Sequence, residues 1–366
     1  MQRRDFLGKV AMGAAGACAA TALGTTKASA KDTFHWKMVT SWPPKYPILQ
    51  DSCERLAKKL EQMTSGRLKI DVFAAGELVG AMEVFDAVSQ GMAVQCGSTA
   101  PYWYAGKSPE TQFYSDYPFG MPHRGKMAWL ISGGGMKLFE EFYKPFNMHP
   151  IMMLSTGTQM GGWFRKEIKS LADLKGLKMR IPGLAGKVMA KAGVNVVNLP
   201  GSEVYTALER GVIDATEWVS PMYDQRLGLQ QAAKYYYYPA WHEAATTVPF
   251  VVNLKAWNEL PEDLKMMVQT ACAESVSWSL AEADAKNGKA LKELVDNDGV
   301  KLRKFPDDVM KQLYTITEEV MAEESKKSAK FKRVYDSITD FRSRYEYWMD
   351  HSEYAFIDAL RLAQKG

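Results

Sequence analysis

The sequence predicts an α/β fold of two lobes that ends in long helices. Three observations point to this class. Short strand candidates alternate with helix candidates in the first part of the chain. Some 336 residues remain after the expected leader, enough for two cores, and neither a low-complexity linker nor an internal repeat divides them. From Asp307 to Lys365 there is no proline or glycine, which favours helices.

Residues 1–30 resemble a twin-arginine signal peptide. Arg3 and Arg4 precede a short, weakly apolar segment rich in alanine and glycine, and an A-x-A cleavage pattern ends at Ala30. A membrane anchor is the alternative, but so short an apolar segment would span a bilayer poorly. We expect export to the periplasm, with the mature chain beginning at Lys31.

Charge and cysteine usage exclude several classes of protein. The formal charge of +4 falls to +1 without the signal, which carries four basic residues and one acid, so no global field attracts nucleic acid. The mature cysteines are Cys53, Cys96 and Cys272. They form no CxxC pair and have no nearby histidine pair, which argues against a zinc site and a disulfide framework. Buried free thiols are favoured over a single disulfide.

The first lobe opens with a βαβαβ order, which favours a mostly parallel sheet. Its elements are a strand at 33–39, a helix at 48–64, a strand at 68–73, a helix at 83–90 and a strand at 93–97. An aromatic loop, Pro101 to Tyr104, follows the third strand and either packs between lobes or lines a pocket. Residues 116–122 are interpreted as a structural turn. The glycines at 133–135 lack the Lys-Ser/Thr pair of a phosphate loop.

The stretch from Leu154 to Asp224 concentrates polar side chains where strands end. Residues 177–181 form a strand candidate that Pro182 stops, so Arg180 lies near a strand end and can present its planar fork to a carboxylate. A helix is predicted from an N-cap at Ser202 to a C-cap at Gly211. The strand that follows, 212–216, leads into Glu217 and Trp218. Ligands collect at such strand ends in α/β sheets.

A very aromatic strand candidate at 235–238 precedes Glu243. Glu243 is either a partly desolvated acid that needs a cation or donor, or a solvated acid on a loop. Together with Gln159 and Glu217 it offers hard oxygen ligands, which suit Na⁺, Ca²⁺ or Mg²⁺ and disfavour Zn²⁺. His242 alone is more often a surface or satisfied histidine than a ligand.

Several spaced motifs resemble one family. DLKGLKMRIPG and LPGSEVYTALERGVIDATEW resemble the extracytoplasmic solute-binding proteins of TRAP transporters, and TQMGGWF and EWVSPMYD resemble the branch that binds 2-oxo acids and lactate. The similarity extends over the mature chain. It implies a two-lobed periplasmic binding protein fold and a binding protein rather than an enzyme. Its ligand would be a pyruvate-like or lactate-like monocarboxylate, delivered to membrane subunits.

The resemblance also assigns site residues. A bound cation, sodium or calcium, would be held by Gln159, the Glu217 side chain, the main-chain carbonyl of Trp218, and Glu243. Arg180 would clamp the substrate carboxylate, and Tyr102 would face the cleft as a hydroxyl donor. Gln159 and Trp218 would also contact the substrate. Which of the two glutamates is the dominant side-chain ligand stays open.

The domain prediction assigns the signal peptide to 1–30 and divides the remaining chain as follows: lobe I is 31–155 plus about 245–285, lobe II is 156–244 plus about 286–306, and the helical region is 307–366. From Phe331 onward, apolar positions keep a seven-residue repeat through Ile338 and Tyr345 to Leu362. This seam packs either on its own lobe or on a partner. The resembled branch includes dimers with a swapped C-terminal helix, which implies a homodimer.

Two other function classes stay open. A periplasmic enzyme is one, although the chain has no nucleophile elbow, no dinucleotide-binding fingerprint after a strand, no HExxH and no haem motif. A ligand-sensing partner of a receptor is the other, and the sequence does not separate it from transport.

Overall fold

The structure is a computed structural model that describes residues 32–365. Its strands are β1 Phe34–Thr40, β2 Leu68–Phe73, β3 Cys96–Ser98, β4 Met148–Ser155, β5 Gly162–Phe164, β6 Lys178–Arg180, β7 Asn195–Val197, β8 Ala215–Thr216, β9 Tyr235–Tyr238, β10 Thr247–Asn253 and β11 Lys301–Lys304. Its α-helices are α1 Leu49–Met63, α2 Val84–Gln90, α3 Gln112–Ser115, α4 His123–Ser132, α5 Gly135–Tyr143, α6 Gly183–Lys191, α7 Gly201–Glu209, α8 Pro221–Leu227, α9 Leu229–Ala232, α10 Leu254–Glu259, α11 Glu262–Asp296, α12 Asp307–Lys327, α13 Ala329–Asp350 and α14 Glu353–Ala363.

The first sheet has the strand order β2-β1-β3-β10-β4. The predicted βαβαβ unit is present, because β1 pairs in parallel with both β2 and β3. The sheet is nevertheless mixed: β10 returns from far along the chain and lies antiparallel between β3 and β4. All seven residues of β10 are buried. The chain therefore comes back to the middle of this sheet, not to its edge.

The second sheet has the order β11-β9-β5-β8-β6-β7. Here β6 runs parallel to β7 and β8, whereas β5 is antiparallel to its neighbours β8 and β9. The predicted extended segment at 300–305 forms the edge strand β11 beside the aromatic strand β9. The carboxyl end of β6 is Arg180, as the strand candidate at 177–181 predicts.

Two local predictions are wrong in detail. Ser202 is not the N-cap of α7, which begins at Gly201 after the extended Pro200 and has no side-chain cap. A Cβ at Gly201 would lie 2.4 Å from the indole of Trp218, so glycine lets the helix start pack against that ring. The strand predicted at 212–216 shortens to β8, because its neighbour β5 has only three residues with which to pair.

Helix α11 packs against β4, α1 and α8 and so touches elements associated with both sheets. One apolar core includes Met38 and Phe250 from the first sheet and Trp163 and Tyr236 from the second. The strands of the first sheet fall within the residue ranges predicted for lobe I, and those of the second sheet within the ranges predicted for lobe II. The lobe boundaries themselves stay a prediction.

The C-terminal segment is divided into three helices, α12 to α14, as its excessive length as a single helix requires. The first part of the seven-residue repeat packs on the protein itself, because its core includes Phe331, Val334 and Ile338. Packing on the protein's own lobe was one of the two alternatives left open for this seam. By contrast, α14 has no buried side chain. Any partner-facing part of the repeat therefore lies toward its end.

The three mature cysteines are buried and unpaired. No helix within residues 32–365 is long and apolar enough to cross a membrane. The predicted signal peptide lies outside the described residues.

Candidate functional site

Arg180 is the centre of the candidate site. The strand end carries its side chain into the interior, where only 1% of it is exposed. Nη1 donates to the carboxylate of Glu217 and, at 3.3 Å, to the Glu217 carbonyl, and Nε donates to the Leu199 carbonyl at 3.2 Å. The buried Nη2 has no hydrogen-bond partner among the described residues. One side of the guanidinium is thus fixed by protein and the other is available to a ligand.

Trp218 covers the guanidinium. The centre of the Arg180 guanidinium lies 5.0 Å from the centroid of the Trp218 ring, a cation–π contact. The indole Nε1 donates to the hydroxyl of Tyr46 at 2.8 Å. Behind the ring, Gly201 allows the close approach of α7. The indole is therefore held by Arg180 at its face, by Tyr46 at its nitrogen and by the start of α7 at its six-membered ring.

Glu217 is buried between two bases. One of its oxygens accepts from Arg180, and the other lies 3.5 Å from Nε2 of His242. Burial lowers the pKa of His242, but the nearby carboxylates of Glu217, Glu243 and Asp116 outweigh it and raise that pKa above its ordinary value. Neither ring nitrogen of His242 has a hydrogen bond in the described part of the chain. His242 was expected to be a surface or satisfied histidine, and the structure places it at the site instead.

Gln159 and Glu243 are in direct contact. Nε2 of Gln159 donates to Oε2 of Glu243 and to Oγ1 of Thr246, both at 2.8 Å, and the Thr246 hydroxyl also donates to Glu243. Oε1 of Gln159 is buried and accepts no hydrogen bond from residues 32–365. Burial, reinforced by the charge of Glu217, raises the pKa of Glu243 to about 7. The solvated alternative for Glu243 is therefore wrong: the side chain is an enclosed acid.

A second buried pair lies behind Glu243. Nζ of Lys126 is 3.5 Å from Oδ1 of Asp116, and both side chains are inaccessible to solvent. Burial lowers the pKa of Lys126 and raises that of Asp116, and each group partly offsets the effect on the other. Asp116 also accepts from the main-chain N–H groups of Tyr117 and Ala245. Asp116, expected to be structural, does anchor the chain near Glu243.

These groups adjoin a cavity between elements of the two sheets. The cavity is narrow in this structure, with an enclosed volume of about 20 Å³. Its lining includes Trp42, Tyr102, Trp103, Gln159, Arg180 and Trp218. Tyr102 is only partly buried, and its pKa is raised by burial and by the carboxylates of Glu243 and Glu217, so its hydroxyl stays a donor at neutral pH. Gly183 lets the Tyr102 loop approach α6, since a Cβ there would lie 3.0 Å from that of Tyr102.

The donor set can hold a small anion together with a hard cation. Three buried carboxylates, from Glu217, Glu243 and Asp116, outnumber the two permanent bases Arg180 and Lys126. An added substrate carboxylate increases the excess of negative charge, which a sodium or calcium ion would reduce. No cluster of three His, Cys, Asp or Glu side chains in the described chain is arranged to hold a metal by itself. Amide, carbonyl and substrate oxygens would have to complete the coordination, and the orphaned Oε1 of Gln159 fits that need.

The structure brings Gln159, Arg180, Tyr102 and Trp218 to one cavity, with Glu217 and Glu243 directly behind it. Their roles as ligands stay a prediction. Sequence reasoning missed Lys126 and the burial of His242. Lys126 gives no signal, because one lysine in a helix is normally solvated. For His242 the hint in the sequence was its position directly before Glu243, a candidate acid.

Two sheets that border a buried site for a small anion are typical of a solute-binding protein. Residues 38–327 match the family described as bacterial extracellular solute-binding protein, family 7. The chain belongs to this family, the TRAP solute-binding proteins. A relative from Nostoc sp., the monocarboxylate 2-oxoacid-binding periplasmic protein, is 43% identical over 359 residues, which cover 97% of this chain and 98% of that protein.

Solved structures support the same assignment. The TRAP transporter solute-binding protein of Bordetella bronchiseptica RB50 has a TM-score of 0.88 and 38% identity, covering 91% of this chain and 99% of its own; it is a mixed-occupancy dimer with copurified calcium and picolinate in one site and the other site apo. That of Pseudoalteromonas atlantica T6c, with bound sodium and pyruvate, has a TM-score of 0.86 and 38% identity, with coverage of 89% and 99%. The α/β fold of TRAP periplasmic binding proteins is confirmed.

Proposed function

We propose that this protein binds a small 2-oxo or 2-hydroxy monocarboxylate, such as pyruvate or lactate, together with calcium or sodium. It would deliver this ligand to the membrane subunits of a TRAP transporter. The observation that carries the proposal is the pair of buried, unsatisfied polar atoms at one cavity, Nη2 of Arg180 and Oε1 of Gln159. One is a cationic donor for a carboxylate, and the other is a neutral oxygen suited to a hard cation.

The α-oxygen of the ligand explains the proposed specificity. A 2-oxo or 2-hydroxy acid can offer a cation one carboxylate oxygen and the α-oxygen at once, whereas propionate offers only the carboxylate. An acid without that oxygen leaves the cation under-coordinated. Picolinate, bound with calcium in the Bordetella protein, also has a donor atom next to its carboxylate, the ring nitrogen. This shared chemistry supports recognition through an α-donor.

Isothermal titration calorimetry tests the function. Purified protein is stripped of ligand and dialysed against calcium or sodium, then titrated with pyruvate, lactate and propionate. We expect pyruvate and lactate to bind more tightly than propionate. Equal affinity for all three acids, or binding of none, would contradict the proposal.

We infer that the site binds its ligand without transforming it. The family consists of solute-binding receptors. Incubation of the protein with pyruvate or lactate, followed by NMR spectroscopy, should show unchanged ligand. A new product in proportion to protein concentration would favour the enzyme alternative.

We propose that the protein reaches the periplasm by twin-arginine export, since its family is extracellular and Arg3-Arg4 opens the chain. N-terminal sequencing of the periplasmic protein should begin at Lys31. A start that retains residues 1–30 would contradict the cleavage.

We also propose a homodimer formed through α14. This helix exposes a row of apolar side chains, among them Phe356 at 67% and Leu362 at 73%. The ion pair between Arg124 and Glu353 fixes its start beside α4. The Bordetella structure is a dimer, which supports a dimeric state.

Truncation after Ser352 tests the dimer, because it removes α14 and leaves Phe331, Val334 and Ile338 in the core. Size-exclusion chromatography with light scattering should give a dimer for the parent and a monomer for the truncated protein. An unchanged mass would exclude α14 as the interface. Circular dichroism should show that the truncated protein remains folded.

A further inference from the structure

Tyr46 connects the two sheets at the candidate site although it does not line the cavity. It lies in the connection between β1, a strand of the first sheet, and α1, a helix that packs against β2 of that sheet. Its hydroxyl donates to the main-chain carbonyl of Tyr223 at 2.8 Å and accepts from the indole Nε1 of Trp218 at 2.8 Å. Both partners follow β8 of the second sheet. We call these two hydrogen bonds the Tyr46 bridge.

The bridge is buried and specific. Only 3% of Tyr46 is exposed, and its ring meets the Trp218 ring edge to face at a centroid distance of 6.3 Å. Burial and the charge of Asp224 raise the pKa of Tyr46 well above its ordinary value, so the hydroxyl keeps its proton. It can therefore donate and accept at the same time.

The backbone around Tyr46 is bent in an unusual way. Lys45 and Ile48 have φ angles of 56° and 59°, in the left-handed region that β-branched residues such as isoleucine rarely adopt. Strain of this kind persists where the surrounding contacts impose it, and it is common at binding sites. Tyr46 lies between these two residues, and its hydroxyl contacts Trp218 and Tyr223 beyond the second sheet's β8.

The Trp218 loop also has supports from helix α11 and from its own side of the site. Oδ1 of Asn287 on α11 accepts from the Ser220 hydroxyl at 3.0 Å and from the main-chain N–H of Met222 at 3.1 Å. Asp224 accepts from the main-chain N–H of Val219 at 3.0 Å, and its other oxygen accepts from Trp163 and Tyr236. In the Tyr46 bridge, the indole N–H of Trp218 donates to a residue that lies beside the first sheet. Since the indole lies over the Arg180 guanidinium, the bridge couples the arrangement of the sheets to the carboxylate clamp.

We propose that Tyr46 is a positioning residue that fixes Trp218 over Arg180 when the lobes close on the ligand. The inference rests on the proposed function and extends it from ligand contacts to the closure that retains the ligand. Contacts made only in the closed state slow ligand release and leave the encounter rate almost unchanged. The bridge should therefore affect the dissociation rate constant.

Tyr46→Phe tests the proposal, with Tyr237→Phe as a matched control. Tyr237 is also a buried tyrosine whose hydroxyl donates to a main-chain carbonyl and accepts a main-chain N–H, in this case those of Ile168. Tyr237 lies on β9 and Ile168 in the connection between β5 and β6, so this contact does not involve the first sheet. Stopped-flow kinetics with pyruvate and calcium should show a dissociation rate constant about five- to tenfold higher for Tyr46→Phe and an unchanged association rate constant. Tyr237→Phe should lower the melting temperature and leave both rate constants unchanged.

A double-mutant cycle separates positioning from general destabilisation. Trp218→Phe keeps an aromatic ring over Arg180 but removes the N–H that Tyr46 accepts. If Tyr46 acts through this N–H, then Tyr46→Phe should have a smaller effect on dissociation in the Trp218→Phe background.

Unchanged dissociation in Tyr46→Phe, an equal effect in Tyr237→Phe, or full additivity in the cycle would overturn the positioning role. In those cases the parent still binds pyruvate, so the proposed function stands. If the parent itself binds no 2-oxo acid, the proposed function fails and the inference fails with it.

Discussion

Replacement of Arg180 by lysine is the sharpest test of the binding site. Arg180→Ala should cost on the order of 2–5 kcal/mol of binding free energy. It also leaves the buried Glu217 without its cation, so a loss of binding could not be separated from a loss of folding stability. Arg180→Lys keeps a positive charge for Glu217. A single ammonium cannot reproduce the planar fork, in which Nη1 and Nε are used by the protein and Nη2 is available.

The expected loss is the hydrogen bond from Nη2 to the ligand carboxylate. A hydrogen bond to a charged group is worth about 1.5–3 kcal/mol, which corresponds to a pyruvate dissociation constant about 10- to 150-fold higher. Calorimetric titration with pyruvate in excess calcium measures this ratio. Thermal unfolding of the ligand-free variant shows whether the fold is intact.

Arg303→Lys is the matched control. Arg303 lies on β11 of the same sheet, donates to the carboxylate of Glu167 at 2.5 Å and lies over the ring of Tyr235, but it does not line the cavity. Its replacement should leave pyruvate affinity unchanged. Affinity of Arg180→Lys within about twofold of the parent, or an equal loss in Arg303→Lys, would refute the assignment of the clamp.

Three further predictions concern the surroundings of the clamp. Removal of cations with a chelator, with choline in place of sodium, should lower pyruvate affinity at least about tenfold in calorimetry, and calcium but not zinc should restore it. Gly201→Ala should displace the Trp218 indole, because the added Cβ would lie 2.4 Å from it, and should weaken pyruvate binding and lower the melting temperature. Burial raises the pKa of Asp224 from 3.8 to about 7, so the native state binds more protons than the unfolded state in that interval and stability falls as pH rises through it. Asp224→Asn should flatten this slope by up to about 1.4 kcal/mol per pH unit in urea denaturation, and an unchanged slope would contradict the shift.

The sequence predicts the site better than it predicts the sheets around it. A proline after a short apolar run is enough to put Arg180 at a strand end, and the motif resemblance adds Gln159, Glu217 and Glu243. Strand order is different, because β10 pairs with β4 across about a hundred residues of chain and with β3 across about 150. No local pattern encodes such a partner.

The sequence also did not predict which charged side chains are buried. Lys126 occupies a helix whose residues give no clear apolar face, so its sequence does not tell whether the lysine points to water or inward. The charges that face it are Asp116, ten positions earlier in the chain, and Glu243, which comes from more than a hundred positions later. Likewise, the burial of His242 follows from the position of Glu217, which is 25 positions earlier in the sequence.

The charge of the site gives the cation a central role in the proposed function. Arg180 already pairs with Glu217, and Lys126 with Asp116, so the charge of Glu243 has no permanent base of its own and its pKa rises. A bound carboxylate would share Arg180 with Glu217 and would increase the repulsion among the negative charges of the ligand, Glu217 and Glu243. A cation that contacts both Glu243 and the ligand relieves both problems at once, and it does so best when the ligand offers an α-oxygen as a second donor. A second carboxylate on the ligand would need a further base, and Arg180 is the one arginine or lysine among the described residues that line the cavity. The same charge balance that requires a cation therefore favours monocarboxylates with an α-oxygen.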